Sequence, residues 1–181
     1  MNTLVQLENP TDWRQYAVII ALFSLAWNLA NTLYSIYLEK KRRKTVIRLE
    51  EFRSSVRDPL IAALQDCRQC GYSAKSIALS QKGLDETTDE ITELNKSTVI
   101  ALSKLSDALD DANNSKFSAG KSWLNDFSGF EDDILTLSDR GCEVELPDGV
   151  RKKAYKCMPD EISRLNKMVR KKIDKELEKQ L

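Results

Sequence analysis

The sequence predicts an all-α protein, with a single N-terminal transmembrane helix followed by a cytoplasmic helical bundle of about four helices that includes a coiled-coil-like segment. Three observations predict this class: an uncharged stretch between Arg14 and Glu39, a basic cluster directly after it, and apolar residues at helical spacing through most of the remaining chain. The expected organisation is a short extracytoplasmic tail (1–15), the transmembrane helix (16–38), a basic juxtamembrane stalk (39–58) and a cytoplasmic helical domain (59–181).

Residues 16–38 have the length and composition of a membrane span. They are mostly Val, Ile, Leu, Phe and Ala, and as a helix they would measure roughly 34 Å, against about 30 Å of hydrocarbon. Trp13 and Tyr16 precede the apolar centre and Tyr34 and Tyr37 follow it, at the levels where aromatic rings favour the membrane interfaces. A secretory signal peptide would need a basic start and a shorter apolar region. A buried core helix of a soluble protein is the other alternative, but its apolar run is usually shorter.

Basic residues predict the orientation of the span. Five of them follow it in succession: Lys40, Lys41, Arg42, Arg43 and Lys44. Arg14 is the only basic side chain before it, so the positive-inside rule places the N-terminus outside and the C-terminus in the cytoplasm. We therefore expect a single-pass protein of the cell membrane, which in a bacterium is the inner membrane. The same cluster could also attract anionic lipid, at about 1 kcal/mol per basic side chain.

Small and polar residues of the span recur at alternating spacings of four and three, which places them along one helix face. The face consists of Ala21, Ser24, Asn28, Asn31 and Ser35. Small residues let helices approach closely, and an amide in hydrocarbon gains about 0.6 to 2 kcal/mol by bonding to another helix. Because the chain has one predicted span, that helix must belong to another molecule. We expect a homo-oligomer or a complex with a different membrane protein; a monomer that tolerates both amides is the alternative.

Breaker residues divide the following chain into helices. Asp58 and Pro59 suit a helix start and Gly83 a helix end, so we expect a helix between them. Core-type residues then recur every seven positions from Leu84 to Ala112, the pattern of a coiled-coil-like helix. Packing against the preceding helix or against a second chain would satisfy this stripe.

Two more helices are expected toward the C-terminus. The first has an aromatic and aliphatic face formed by Trp123, Phe127, Phe130, Ile134 and Leu137. The last is expected to begin beside Pro159, since proline is favourable in a first helical turn. Residues 142–150 read as strand and turn, although they are too short to support a sheet.

Charge is unevenly distributed in a chain of zero formal net charge. Residues 84–143 contain 14 acidic and 5 basic side chains, whereas 11 basic and 5 acidic ones follow from Val150 onward. We expect the basic last helix to pack against the acidic middle of the chain; a role at a membrane surface is the alternative. A nucleic-acid partner is not expected, because no aromatic platform accompanies the basic residues.

Few residues point to chemistry. The chain has no histidine, the commonest general base and metal ligand. Cys67 and Cys70 have the spacing of a zinc or redox motif, but fourteen residues separate Cys142 from Cys157. We therefore expect small core residues rather than a zinc site. The acidic clusters, including that at residues 107–111, read as solvated helix faces. No catalytic residue, cofactor or metal site is predicted.

These observations favour a non-enzymatic, membrane-anchored interaction or scaffold protein. It would self-associate through its transmembrane segment and present the cytoplasmic bundle to a protein partner. The alternative is a small oligomeric membrane effector, whose assembled spans form a pore or perturb the bilayer with Asn28 and Asn31 facing inward. Small membrane proteins of bacterial defence and toxin systems have this architecture, which is the whole basis of that comparison.

Overall fold

The computed structural model describes residues 10–117 and 127–180, so Trp123 of the predicted aromatic face lies outside them. Throughout the described part of the chain the secondary structure is helical, without strands. The helices are α1 (Pro10–Phe52), α2 (Asp58–Leu79), α3 (Thr88–Asn114), α4 (Ser128–Cys142) and α5 (Asp148–Gln180). The predicted all-α class is therefore confirmed.

The apolar stretch lies in α1. Within the described residues, one continuous helical stretch, Gln15–Leu79, contains a segment that is long and apolar enough to cross a membrane, and none of that segment is buried. This property follows from length and composition alone.

The chain divides into two compact units, Met1–Ile47 and Arg48–Leu181. The second unit has its own apolar core, to which α2, α3, α4 and α5 all contribute. Phe52 and Val56, which the sequence pattern assigned to a stalk, are buried in this core. Phe52 packs edge-on against Phe117, with ring centroids 5.4 Å apart.

Helix α2 begins at Asp58 with Pro59 in its first turn, as the sequence predicts, but it continues the preceding helix and does not follow a break. A π-helical turn, Arg53–Arg57, joins α1 to α2 without a break, and Asp58 itself has helical dihedral angles (φ −70°, ψ −41°) and donates its backbone N–H to the carbonyl of Arg53. Pro59 lacks a backbone donor and its ring crowds the preceding turn. A π turn is wider than an α turn, which explains how the helix continues past Pro59.

The seven-residue repeat of α3 corresponds to its buried side. Leu84, Ile91, Thr98, Leu105 and Ala112 are all buried. Cys67 Sγ lies 3.6 Å from the carbonyl oxygen of Ala101, and Lys104 Nζ lies 2.8 Å from Asp66 Oδ2. In these two contacts the residue number falls along α2 as it rises along α3, so the two helices are antiparallel. The stripe is therefore covered by α2 of the same chain.

The strand predicted within residues 142–150 is not formed, whereas the turn is: residues 144 and 145 form a turn, and the N–H of Leu146 donates to the carbonyl of Glu143 at 3.3 Å. Helix α4 runs to Cys142 and α5 begins at Asp148. The N–H groups of Val150 and Arg151 donate to the carbonyl of Pro147, at 2.8 and 3.2 Å, so a helical turn forms where the sequence pattern favoured extended chain. An acidic residue in a first turn, here Asp148, interacts favourably with the helix dipole.

The predicted start of the last helix beside Pro159 is wrong, because Pro159 lies inside α5. An interior proline removes one helical hydrogen bond and costs about 3 kcal/mol. Tyr155, Met158 and Ile162 are buried on both sides of it, and each buried side chain of this kind contributes about 1.5 to 3 kcal/mol. Continuous burial of one face therefore outweighs the local defect.

Candidate functional site

The predicted transmembrane association face lies on α1. At 100° per residue its five residues occupy an arc of about 80° and extend over roughly 21 Å of helix. Ala21, Ser24, Asn28, Asn31 and Ser35 are all exposed. The helical geometry thus places two amides, two hydroxyls and a methyl group on one narrow surface.

Polar groups on this surface and next to it differ in whether they form hydrogen bonds within the helix. The hydroxyl of Thr32 donates to the backbone carbonyl of Asn28 over 2.8 Å, so it is bonded within its own helix. The side-chain amides of Asn28 and Asn31 form no hydrogen bond to any described residue. Each can therefore bond to a group outside this part of the chain.

The basic cluster that follows is exposed along its whole length, from Lys40 to Lys44. Arg43 pairs with Glu39 one turn earlier, with 2.6 Å between the nitrogen and the oxygen. Both side chains are well exposed, so this pair contributes little to stability. The cluster is a solvated set of cations on α1.

A polar network in the second unit was not predicted. Asn95 of α3 donates through Nδ2 to Cys142 Sγ and accepts from the Ser138 hydroxyl. Cys142 Sγ lies 3.4 Å from the hydroxyl of Tyr155. Burial, reinforced by this hydrogen bond, raises the pKa of Tyr155 above its ordinary value. The sequence signal that could have indicated this network is Asn95, a polar residue at a core position of the seven-residue repeat.

Arg151 forms a second network at the start of α5. Its side chain is buried, and its Nε donates to the carbonyl of Gly141 at 3.2 Å. One terminal nitrogen lies 3.2 Å from Asp148 and 3.6 Å from Asp85. Asp148 in turn accepts the backbone N–H of Leu84 over 3.2 Å. Arg151 therefore connects the end of α4, the start of α5 and the turn before α3.

Cys67 and Cys70 are buried in the core, which confirms the assignment as small core residues. Desolvation, followed by the nearby Cys70 and Asp66, raises the pKa of the Cys67 thiol to about 12. Cys70 Sγ lies 3.8 Å from the Ser97 hydroxyl. Across the residues that the structure describes, His, Cys, Asp and Glu side chains form no group of three or more that could hold a metal ion.

Helix α5 packs against α2 and α4. It approaches the acidic middle of the chain through uncharged contacts at Gly141 and through Arg164, whose guanidinium lies 5.7 Å from the ring centroid of Phe130. Arg151 and Asp85 form an ion pair between these segments. The exposed lysines of α5, such as Lys153 and Lys171, lie on its outer side.

These observations define an all-helical protein with one candidate transmembrane helix in its described part. Neither the protein-family models, nor the curated proteins, nor the solved structures that were compared with the chain gave a match.

Proposed function

We propose that this chain is a single-pass membrane-anchored interaction or scaffold protein that self-associates through its transmembrane segment. The observation that carries the proposal is the narrow surface of α1 with two amides, Asn28 and Asn31, that have no partner among the described residues. It lies within a stretch of α1 that has the length and composition of a span.

Hydrocarbon offers no hydrogen-bond partner to an amide, and an unsatisfied polar group there costs several kcal/mol. A second helix that presents the same surface would supply both donors and acceptors. Ala21, Ser24 and Ser35 would let the backbones approach closely enough for those bonds to form. A second copy of this chain meets these requirements without any further partner.

The proposed topology has the N-terminus outside and the C-terminus in the cytoplasm of the cell membrane. Its support is the exposed cluster Lys40 to Lys44 on one side of the apolar stretch. The second unit, residues 48–181, would then be a cytoplasmic helical bundle that is available to a protein partner. The antiparallel pairs α2 with α3 and α4 with α5 support the bundle.

The test is the oligomeric state of the full-length protein in mild detergent and in nanodiscs. Wild type is compared with the double variant Asn28→Leu, Asn31→Leu. The matched control is Ala26→Leu, Ala30→Leu, which adds two leucines on the opposite side of the same helix. At about 500 mM salt, where exposed charge pairs are screened, we expect a defined oligomer for wild type and control and a monomer for the amide variant. Monomeric wild type, or an amide variant that assembles like the control, contradicts the proposal.

The same surface supports a second candidate function, a small oligomeric membrane effector. In an assembly of many spans, Asn28 and Asn31 could face a polar interior instead of a single neighbour. The measured stoichiometry separates the two candidates, because a pore needs a ring of several spans. Loss of membrane potential on expression, abolished by the amide variant but retained by the control, would favour the effector.

A further inference from the structure

Two exposed helix faces of the second unit carry the same spacing of charges with opposite signs. On α3 the exposed charges with this spacing are Asp89, Lys96, Asp107 and Asp111; on α5 they are Lys153, Asp160, Lys171 and Lys175. The same two faces also carry Glu93 and Arg164, which have no charged counterpart in this spacing. Both series have intervals of 7, 11 and 4 residues, and both span 22 residues, or roughly 33 Å of helix. We call them the acidic face and the basic face.

Each series forms a line along its helix. At 100° per residue, the four positions on α3 fall within an arc of about 60°, and so do the four on α5. None of these eight side chains forms an ion pair within the described residues. The faces are also directed away from the cores of their helices, whose buried sides contact α2 and α4. Both faces are therefore available to another molecule.

We infer that the acidic face of one copy of this chain binds the basic face of another copy, with the two helices parallel. A register that places Asp89 opposite Lys153 also pairs Lys96 with Asp160, Asp107 with Lys171 and Asp111 with Lys175. In the pair Lys96 and Asp160 the signs are exchanged relative to the other three pairs, and we call it the inverted pair. It favours a second copy over a partner that is acidic throughout, because such a partner would gain nothing from Asp160. Charge complementarity of this kind selects partner and register more than it supplies affinity.

Two exposed apolar residues lie near the centre of the acidic face, and in this register they face Ser163 and Arg164 of the basic face. Val99 and Ile100 lie between Lys96 and Asp107 and are 56% and 46% exposed. The register also places Asp110 against Asp174, and repulsion between those carboxylates reduces the gain.

The contact joins different surfaces of two identical chains, so each copy retains one acidic and one basic face for further copies. Repetition of such a contact gives a closed ring or a continuous array. This inference deepens the proposed function, because copies held in one membrane would meet at a high effective concentration. The acidic and basic faces lie outside the predicted span, so their contact can be measured in a variant that lacks the proposed contact between spans.

The experiment uses the full-length chain with Asn28→Leu and Asn31→Leu, which removes the proposed span contact. Self-association in micelles is measured by sedimentation at about 50 mM and about 500 mM salt, since screening weakens exposed charge pairs. Lys96→Asp and Asp160→Lys are made singly and together. Lys82→Asp and Asp132→Lys are the matched controls, at exposed positions outside both faces.

Each single variant sets like charges opposite one another, and we expect the association constant to fall about tenfold, whereas the controls stay within about twofold of the parent. The double variant exchanges the signs of the inverted pair, keeps the net charge, and should recover the parent value. Single variants that behave like the controls, or a double variant no better than the singles, overturn the inference. So does a parent that stays monomeric at both salt concentrations. Failure of the proposed span contact would instead be seen at about 500 mM salt, as assembly of the Asn28 and Asn31 variant that is unchanged from wild type.

Discussion

Gly141, near the end of α4, lies against the ring of Tyr155 in α5. A Cβ atom at position 141 would lie 2.1 Å from Cζ of that ring and 2.3 Å from Cε1. Tyr155 is fully buried, so its ring cannot move aside into solvent. Overpacking typically costs about 1 to 3 kcal/mol, and the depth of this overlap places Gly141→Ala at the upper end. The higher helix propensity of alanine returns about 1 kcal/mol at most. We expect a net loss of about 2 kcal/mol in the free energy of unfolding.

The assay is urea unfolding of the full-length protein, followed by far-ultraviolet circular dichroism. With a slope of about 2 kcal/mol per M, the midpoint of Gly141→Ala should fall by about 1 M. Gly129→Ala is the matched control in the same helix, because nothing lies within 4 Å of an added Cβ there. It should be neutral or stabilising by up to about 1 kcal/mol. At Gly71 the nearest atom, Ile162 Cδ1, is 3.2 Å away, and the effect should fall between the other two. A Gly141→Ala protein as stable as Gly129→Ala would refute the packing of Tyr155 against this position.

Two further predictions concern buried polar groups. Because burial raises the pKa of Cys67 to about 12, its neutral thiol stabilises the fold fully below pH about 9, and this contribution is lost as the pH rises toward 12. Cys67→Ala should therefore lose stability less steeply than wild type over that range, by up to about 1.4 kcal/mol per pH unit. Thermal unfolding as a function of pH measures this, with Cys157→Ala as the control for loss of an exposed thiol, and equal slopes for Cys67→Ala and wild type would contradict it. Arg151→Met should lower the free energy of unfolding by about 2 kcal/mol, since it removes charge-assisted hydrogen bonds to Asp148 and to the Gly141 carbonyl. Urea unfolding checks this, and a loss below about 0.5 kcal/mol would show that Arg151 does not hold these elements together.

Helix interiors were predicted from the sequence more reliably than helix ends. The buried side of α3 followed from its seven-residue repeat, because packing against α2 requires that period. From a local preference, Pro59 was predicted to follow a break in the helix and Pro159 to lie at a helix start, but the helix is continuous through both. In both places tertiary burial outweighs that preference: Val56 and Leu60 are buried on either side of the first proline, as are Met158 and Ile162 around the second.

Candidate functional surfaces also differ in whether the sequence could predict them. The α1 surface with Asn28 and Asn31 could be found from spacing alone, because it belongs to one helix. The match between the acidic and basic faces could not, since it depends on which sides of α3 and α5 remain exposed after packing. The contact of Gly141 with Tyr155 likewise joins two helices, and no local pattern indicates it.

The hydrogen bonds of Asn95 have a consequence for topology mapping by glycosylation. Asn95-Lys96-Ser97 matches the acceptor signal for N-linked glycans. However, a sugar on Nδ2 would displace the bond to Cys142 and force the chain apart between α3 and α4. Glycan transfer at this asparagine is therefore incompatible with the folded unit. The second native signal, Asn113-Asn114-Ser115, has no such bond from Asn113 to a described residue. Glycan transfer at Asn113 would therefore report the side of the membrane without the fold deciding the answer.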